Sequence, residues 1–94
     1  MMIGITAVMT ATPGQGDQLV AAMQKIAAEV VKEEGNHCYL VHQSLDDADT
    51  LLIYEQYSDE AALQAHREHM KELGGGLKGL LAGRPDVKLF ALKD

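Results

Sequence analysis

Hydrophobic positions along this chain follow two periods, and each change of period marks an element boundary. Over residues 2–10 apolar and β-branched residues run almost unbroken up to Pro13-Gly14, which predicts a strand followed by a turn. Over residues 18–34 the spacing lengthens. Leu19, Met23, Ile26 and Val30 recur at helical intervals, with Val20, Ala27 and Val31 beside them and Gln24, Lys25, Lys32 and Glu33 opposite, the pattern of an amphipathic helix. Two starts are open for it: a capping box of Thr12 and Gln15 around Pro13, or a cap by Asp17. Gly35 is the expected left-handed stop.

Residues 37–45 and 50–57 predict two further strands, joined as a hairpin by the polar turn Asp46-Asp47-Ala48-Asp49. Ser58 is expected to cap a second helix, with Asp59 and Glu60 complementing the positive end of its dipole. Ala62, Leu63, His66, Met70 and Leu73 form its apolar face. Gly74-Gly75-Gly76 interrupts that helix, because each glycine costs ~1 kcal/mol relative to alanine. Leu77, Leu80 and Leu81 predict another helical turn or two, ended by Gly83 and Pro85, and residues 87–92 the last strand. The order β-α-β-β-α-β predicts a single α+β domain over residues 1–94. It is ferredoxin-like, with one antiparallel sheet of four strands and both helices on one face.

That arrangement leaves the second sheet face uncovered, yet both parities of the strands are apolar. Ile3, Ile5, Ala7 and Met9 oppose Met2 and Val8; Leu51, Ile53 and Tyr57 oppose Leu52 and Tyr54; Val87, Leu89 and Ala91 oppose Phe90 and Leu92. A sheet with one wet face alternates apolar with polar residues, so a cover is expected. With no helix left to supply it, the expectation is a homodimer whose open sheet faces pack together.

Eight basic against fourteen acidic residues give a net charge of −6, with no basic cluster to neutralise phosphates, which excludes nucleic acid as the expected partner. The single cysteine, Cys38, forms no intrachain disulfide or multi-thiolate metal site and suits a reducing cytoplasm. No apolar run approaches the ~18–20 residues of a membrane span, and the first residues lack the basic stretch of a secretory signal. A cytoplasmic protein away from membranes is expected.

No phosphate-cradling glycine loop, nucleophile elbow or zinc signature is present. The aspartates of the hairpin turn lack the glycine and glutamate spacing of a calcium loop. His66 and His69 are three apart on one helix, a spacing that can bind metal, but no third ligand is evident; no metal is expected, and His69 is placed facing solvent beside Arg67 and Glu68. His66, flanked at helical spacing by Leu63, Met70 and Leu73, points at the sheet, where it is either a satisfied core histidine or a base poised near neutral pH. Glu55 interrupts the apolar run Leu51-Leu52-Ile53-Tyr54 and is either an interface anchor or an acid–base group, because a buried carboxylate is costly unless paired. Tyr39, Tyr54 and Tyr57 offer phenols to orient an aromatic substrate or simply pack, and His42 is equally open. Tyr54 and Glu55, adjacent on a strand, cannot line one cleft of a subunit.

Taken together, Glu34-Gly35, Tyr39, His42 and Ser44 in EGNHCYLVHQSLDDADT, followed by YEQYSDEAALQAHREH, resemble the antibiotic biosynthesis monooxygenase domain, and the likeness extends to the LKGLLAGRPDVKLF ending. The resemblance implies a dimeric α+β barrel of ferredoxin-like subunits. It also implies a pocket between helices and sheet in which a quinol, polyphenol or anthrone loses a proton and its carbanion reduces O2, without metal, flavin or other cofactor. His66 matches a pocket-lining histidine after E-A-A-L-x-A. Glu55 and Tyr57 match the E-x-W/Y element, and Tyr39 and His42 the pattern of the second strand. Haem-degrading members carry an asparagine on the first strand, then a tryptophan and a histidine on the second helix; here Ala7 and His66 stand at the first two places and the glycine run at the third, against haem degradation.

The function expected is a cofactor-independent monooxygenase with His66 as base, Tyr54 as donor into the pocket, and Tyr39, His42, Glu55, Tyr57 and Met70 around a small aromatic substrate. Two alternatives stand beside it. One is an isomerase of a small phosphorylated carbonyl compound, for which Arg67, Lys71 and Lys78 are the cationic candidates. The other is a non-catalytic ligand-binding dimer on the same scaffold.

Overall fold

The computed structural model describes residues 1–93. Its elements are β1 (Ile3–Thr10), α1 (Gly16–Val30), β2 (Asn36–Gln43), β3 (Thr50–Tyr57), α2 (Glu60–Leu73) running into one 3-10 turn (Gly74–Leu77), and β4 (Asp86–Ala91). The strands form one antiparallel sheet in the order β2-β3-β1-β4, as expected for the ferredoxin-like fold. Both helices lie on the face that carries the odd-numbered residues of β1, β3 and β4.

The helix ends depart from the expected caps. Neither Thr12 nor Asp17 caps α1. The carboxylate of Asp49, in the acidic hairpin turn, instead accepts from the backbone N–H groups of Gly14 at 3.0 Å and Gly16 at 2.9 Å. A distant turn thus satisfies donors that the helix start leaves open. On α2 the cap is Asp59 rather than Ser58, its side chain accepting from the N–H of Ala62 at 2.8 Å. The leucines after the glycine run do not continue as a helix; a turn at Leu77 to Leu80 leads to an isolated bridge between Ala11 and Leu81.

Gly35 is not a left-handed stop, since positive φ among the described residues occurs only at Gly14, Gly79 and Gly83. Its role is proximity. A β-carbon there would collide with the β-carbon of Ala62, so the turn after α1 passes directly against α2. Its carbonyl also accepts from the N–H of Ser58 at 2.9 Å, tying the turn to the end of β3.

Beneath α1 the layer is closed. Leu19, Met23 and Val30 of the helix and Leu51 and Ile53 of β3 are fully buried, each contributing ~1.5–3 kcal/mol through apolar burial. Beneath α2 it is open toward β4, where Val87 and Leu89 face the helix side yet stay 51% and 47% exposed. Across the other face Val8, Leu40, Phe90 and Leu92 are also exposed. No helix among the described residues is long and apolar enough to cross a membrane.

Candidate active site

One row of the sheet sets the site. Cross-strand register places Tyr39 of β2 opposite Glu55 of β3, Glu55 opposite Ile5 of β1, and Ile5 opposite Leu89 of β4, all on the helix-covered face. Above this row α2 brings down Leu63, His66 and Met70, which recur at helical spacing. Between the two lies a cleft of about 220 Å³ whose lining includes Ile5, Ala7, Tyr39, Glu55, His66 and Met70, with Arg67, Val87 and Leu89 toward the open side. Its walls are mostly apolar, and Tyr39, Glu55 and His66 converge at one end, the usual character of a small-molecule site.

At that end the His66 imidazole is only 7% exposed and Glu55 only 6%. His66 packs between two phenol rings, with centroids 4.8 Å from Tyr57 and 5.9 Å from Tyr39. Its Nε2 lies 3.5 Å from Glu55 Oε1, and its Nδ1 lies 3.1 Å from both oxygens of Glu33. The Tyr57 hydroxyl donates to Glu55 Oε1 at 2.8 Å. Glu33 also meets His69, whose Nδ1 is 2.6 Å from Oε2.

Burial controls the protons. Loss of water pushes the Glu55 carboxyl up to about 7, opposed by the Tyr57 hydrogen bond and reinforced by the negative charge of Glu33. The same loss of water pulls the His66 imidazole below its ordinary value, against the favourable hydrogen bond and charge of Glu33. Burial and then the neighbouring Glu55 push the Tyr39 and Tyr57 phenols well up, so both keep their protons, and Tyr57 donates its hydrogen bond to Glu55. A carboxyl whose proton is held more tightly thus faces, at 3.5 Å, an imidazole whose proton is held less tightly.

The structure brings together His66, Tyr39, Glu55, Tyr57 and Met70 and leaves out Tyr54 and His42. Side chains alternate across β3, so Tyr54 points from the opposite face, where its hydroxyl accepts from Gln56 at 2.8 Å beside Gly4 and Phe90. The expected pairing of His66 as base with Tyr54 as donor in one pocket is therefore corrected within a subunit. Glu55 and Tyr39 line the cleft where that donor was expected, and Tyr57 sits behind them, bonded to Glu55. His42, exposed on the outer face of β2, bonds backbone carbonyls of Leu40 and Leu52. His69 is corrected too: it is half-buried and paired with Glu33 rather than free in solvent.

Glu33 was missed because the helical pattern puts it on the polar side of α1. The helix stops at Val30, and the following turn carries Glu33 inward. The available signal was the Glu33-Glu34-Gly35 sequence, a carboxylate beside a glycine that permits close approach to α2. Among the described residues no group of three or more His, Cys, Asp or Glu side chains is arranged to hold a metal ion.

Known proteins share this architecture. A family model described as antibiotic biosynthesis monooxygenase matches residues 2–72. The chain is 28% identical to "Putative monooxygenase YcnE" of Bacillus subtilis over 88 residues, 92% of this chain and 93% of that one. The crystal structure of PA3566 from Pseudomonas aeruginosa superposes with a TM-score of 0.87 at 26% identity, covering 99% of this chain and 95% of that one. Rv0793 from Mycobacterium tuberculosis has the same fold, with a TM-score of 0.87 at 23% identity over 100% and 97% of the two chains. With the family model spanning most of the sequence and the sheet, helices and cleft arranged as described, this chain belongs to the antibiotic biosynthesis monooxygenase family.

Proposed function

We propose that this protein is a cofactor-independent monooxygenase that oxidises a small quinol, polyphenol or anthrone-like aromatic with O2, and that it works as a homodimer. The observation that carries the proposal is the buried pair of His66 and Glu55, 3.5 Å apart at the polar end of an apolar cleft. A buried neutral imidazole can take a proton from an acidic C–H or O–H group, and a carboxyl raised to about 7 beside it can supply one in return. An apolar lining excludes water that would quench a carbanion or peroxide.

For a substrate with a methylene flanked by aromatic rings, the proton moves to His66 Nε2 and the carbanion's electron pair forms a bond from carbon to O2. Tyr39 and protonated Glu55, which line the cleft, are the donors available to the developing oxyanion, and Tyr57 holds Glu55 from behind. The peroxide anion recovers the proton, and loss of water breaks the O–O bond and leaves a carbonyl. One oxygen atom ends in the product and one in water, and the substrate supplies all four electrons. Arg67 is the one candidate phosphate contact at this cleft, since Lys71 pairs with Glu68 at 3.1 Å on an exposed surface, which favours the oxygenase over the isomerase.

The dimer is supported by the exposed apolar residues Val8, Leu40, Phe90 and Leu92 on the sheet face opposite the helices. Tyr54 and His42 lie on that same face and would belong to the subunit interface. The test is oxygen uptake by chelator-treated protein with a panel of reduced quinols and anthrones, followed by mass spectrometry of the product under ¹⁸O2. One labelled atom per product, at a rate above autoxidation, is the expected result. Absence of uptake across the panel would refute the oxygenase, and a monodisperse monomer at micromolar concentration would refute the dimer.

A further inference from the structure

Two ionisable groups lie behind His66, on the side away from the cleft, where they cannot touch a bound substrate. Glu33 is held by the turn that follows α1: its N–H donates to the carbonyl of Val30 at 2.9 Å, and its carbonyl accepts from the N–H of Asn36 at 3.1 Å. Its side chain is 13% exposed, and both oxygens reach His66 Nδ1. His69, one turn along α2, contacts the same carboxylate at 2.6 Å from a position between core and solvent. Two imidazoles on adjacent turns of one helix thus converge on one carboxylate from another segment.

From this convergence we propose that Glu33 is the positioning residue for His66, and that His69 holds Glu33 in place. The inference rests on His66 acting as the base in the proposed oxidation. A carboxylate can only accept, so a Glu33 that bonds Nδ1 requires the proton of neutral His66 to sit on Nδ1. That leaves the lone pair on Nε2, the nitrogen on the Glu55 side of the ring. Free imidazole side chains do not choose this tautomer by default; here the partner imposes it. When Nε2 takes a proton, the negative charge of Glu33 faces the resulting imidazolium at 3.1 Å, which stabilises the charge that develops during the reaction. His69 supplies a second N–H to Glu33 Oε2 and so fixes the carboxylate's orientation. This is an orienting carboxylate serving a base, an arrangement that recurs on unrelated folds.

The experiment is long-range ¹H–¹⁵N NMR of histidine-labelled protein, which reports which ring nitrogen of His66 carries the proton, combined with kcat and KM for the same samples. In the wild type His66 is expected as the Nδ1–H tautomer. In Glu33→Gln, whose neutral amide can present either oxygen or NH2, the Nε2–H tautomer is expected to appear and kcat to fall about 100-fold, with KM within about threefold. Glu33→Asp keeps the charge and is expected to recover part of both signals. His69→Leu, which leaves Glu33 in place but unpinned, is expected to give a mixture of tautomers and a smaller loss in kcat. A wild-type spectrum showing His66 as Nε2–H would overturn the proposal without any mutant, so a variant that fails to fold does not shield it. A Glu33→Gln protein with unchanged tautomer and unchanged kcat would overturn it equally. The tautomer is read without substrate, so lack of turnover in the wild type counts against the oxidation alone.

Discussion

Under α1 and under α2 the same sheet is used in opposite ways. The α1 half is closed: helix and strand residues meet at zero exposure, and none of the fully buried side chains there is ionisable. In the α2 half a carboxyl, two imidazoles, a second carboxylate and one phenol share one network beside an open cleft, with the Tyr39 ring packed near His66. Stability in so small a chain comes from complete burial of apolar groups, whereas proton chemistry needs polar groups that are buried yet reachable. The molecule separates these demands across the width of one sheet, and β4, exposed along its length, is the side from which the cleft is reached.

Breaking the chemical half gives the largest expected effect. His66→Ala is expected to lower turnover by about 10²–10⁴-fold, the usual contribution of a positioned acid–base group, measured as oxygen uptake corrected for autoxidation. Circular dichroism should show that the fold persists, since the α1 half is untouched. Breaking the structural half gives the reverse. Leu51→Ala removes a fully buried side chain and is expected to cost about 2–5 kcal/mol in urea denaturation. Measured well below its unfolding midpoint, its kcat should stay within a few-fold of the wild type.

The seam between the halves is the next target. Gly35→Ala forces the turn after α1 away from Ala62 and is expected to destabilise by about 1–3 kcal/mol. Because that turn also carries Glu33, the His66 resonances should shift along with the melting temperature; a stability loss with unperturbed His66 would separate the seam from the site. The smallest effect is expected at Asp49→Ala, which removes the carboxylate bonded to Gly14 and Gly16 at the start of α1. A loss of about 0.5–2 kcal/mol with no change in KM would place this contact wholly in the structural half.

The separation was legible in the sequence only in part. Period changes located every strand and both helices, because alternation and helical spacing are local properties. His66 stood out as a histidine on an apolar helix face and Glu55 as a carboxylate within an apolar strand, both violations of the surrounding pattern. The face assignment of Tyr54 followed from parity with Glu55, but which of the two met His66 depended on where α2 lies over the sheet. Glu33 and His69 were illegible for a different reason. Their meeting depends on α1 ending at Val30 rather than running on, and on Gly35 letting two segments touch. Those are tertiary facts, and local spacing placed both residues in solvent. Asp49 shows the same limit, since its turn reads as ordinary until the helix it caps is brought beside it.

The measurement closest to the central claim is a ¹³C NMR titration of the Glu55 side-chain carboxyl. A raised carboxyl has a thermodynamic sign that goes with it. From the ordinary 4.5 upward the unfolded chain ionises Glu55 while the folded chain keeps the proton until about 7, so this residue's contribution to stability is present at acid pH and lost across that window. The account predicts a titration midpoint of about 7, with a matching response in the His66 ring and a decline in stability over the same range that Glu55→Gln abolishes. A midpoint near 4.5, with His66 indifferent to it, would mean that Glu55 holds no proton at the cleft near neutral pH and would contradict the account.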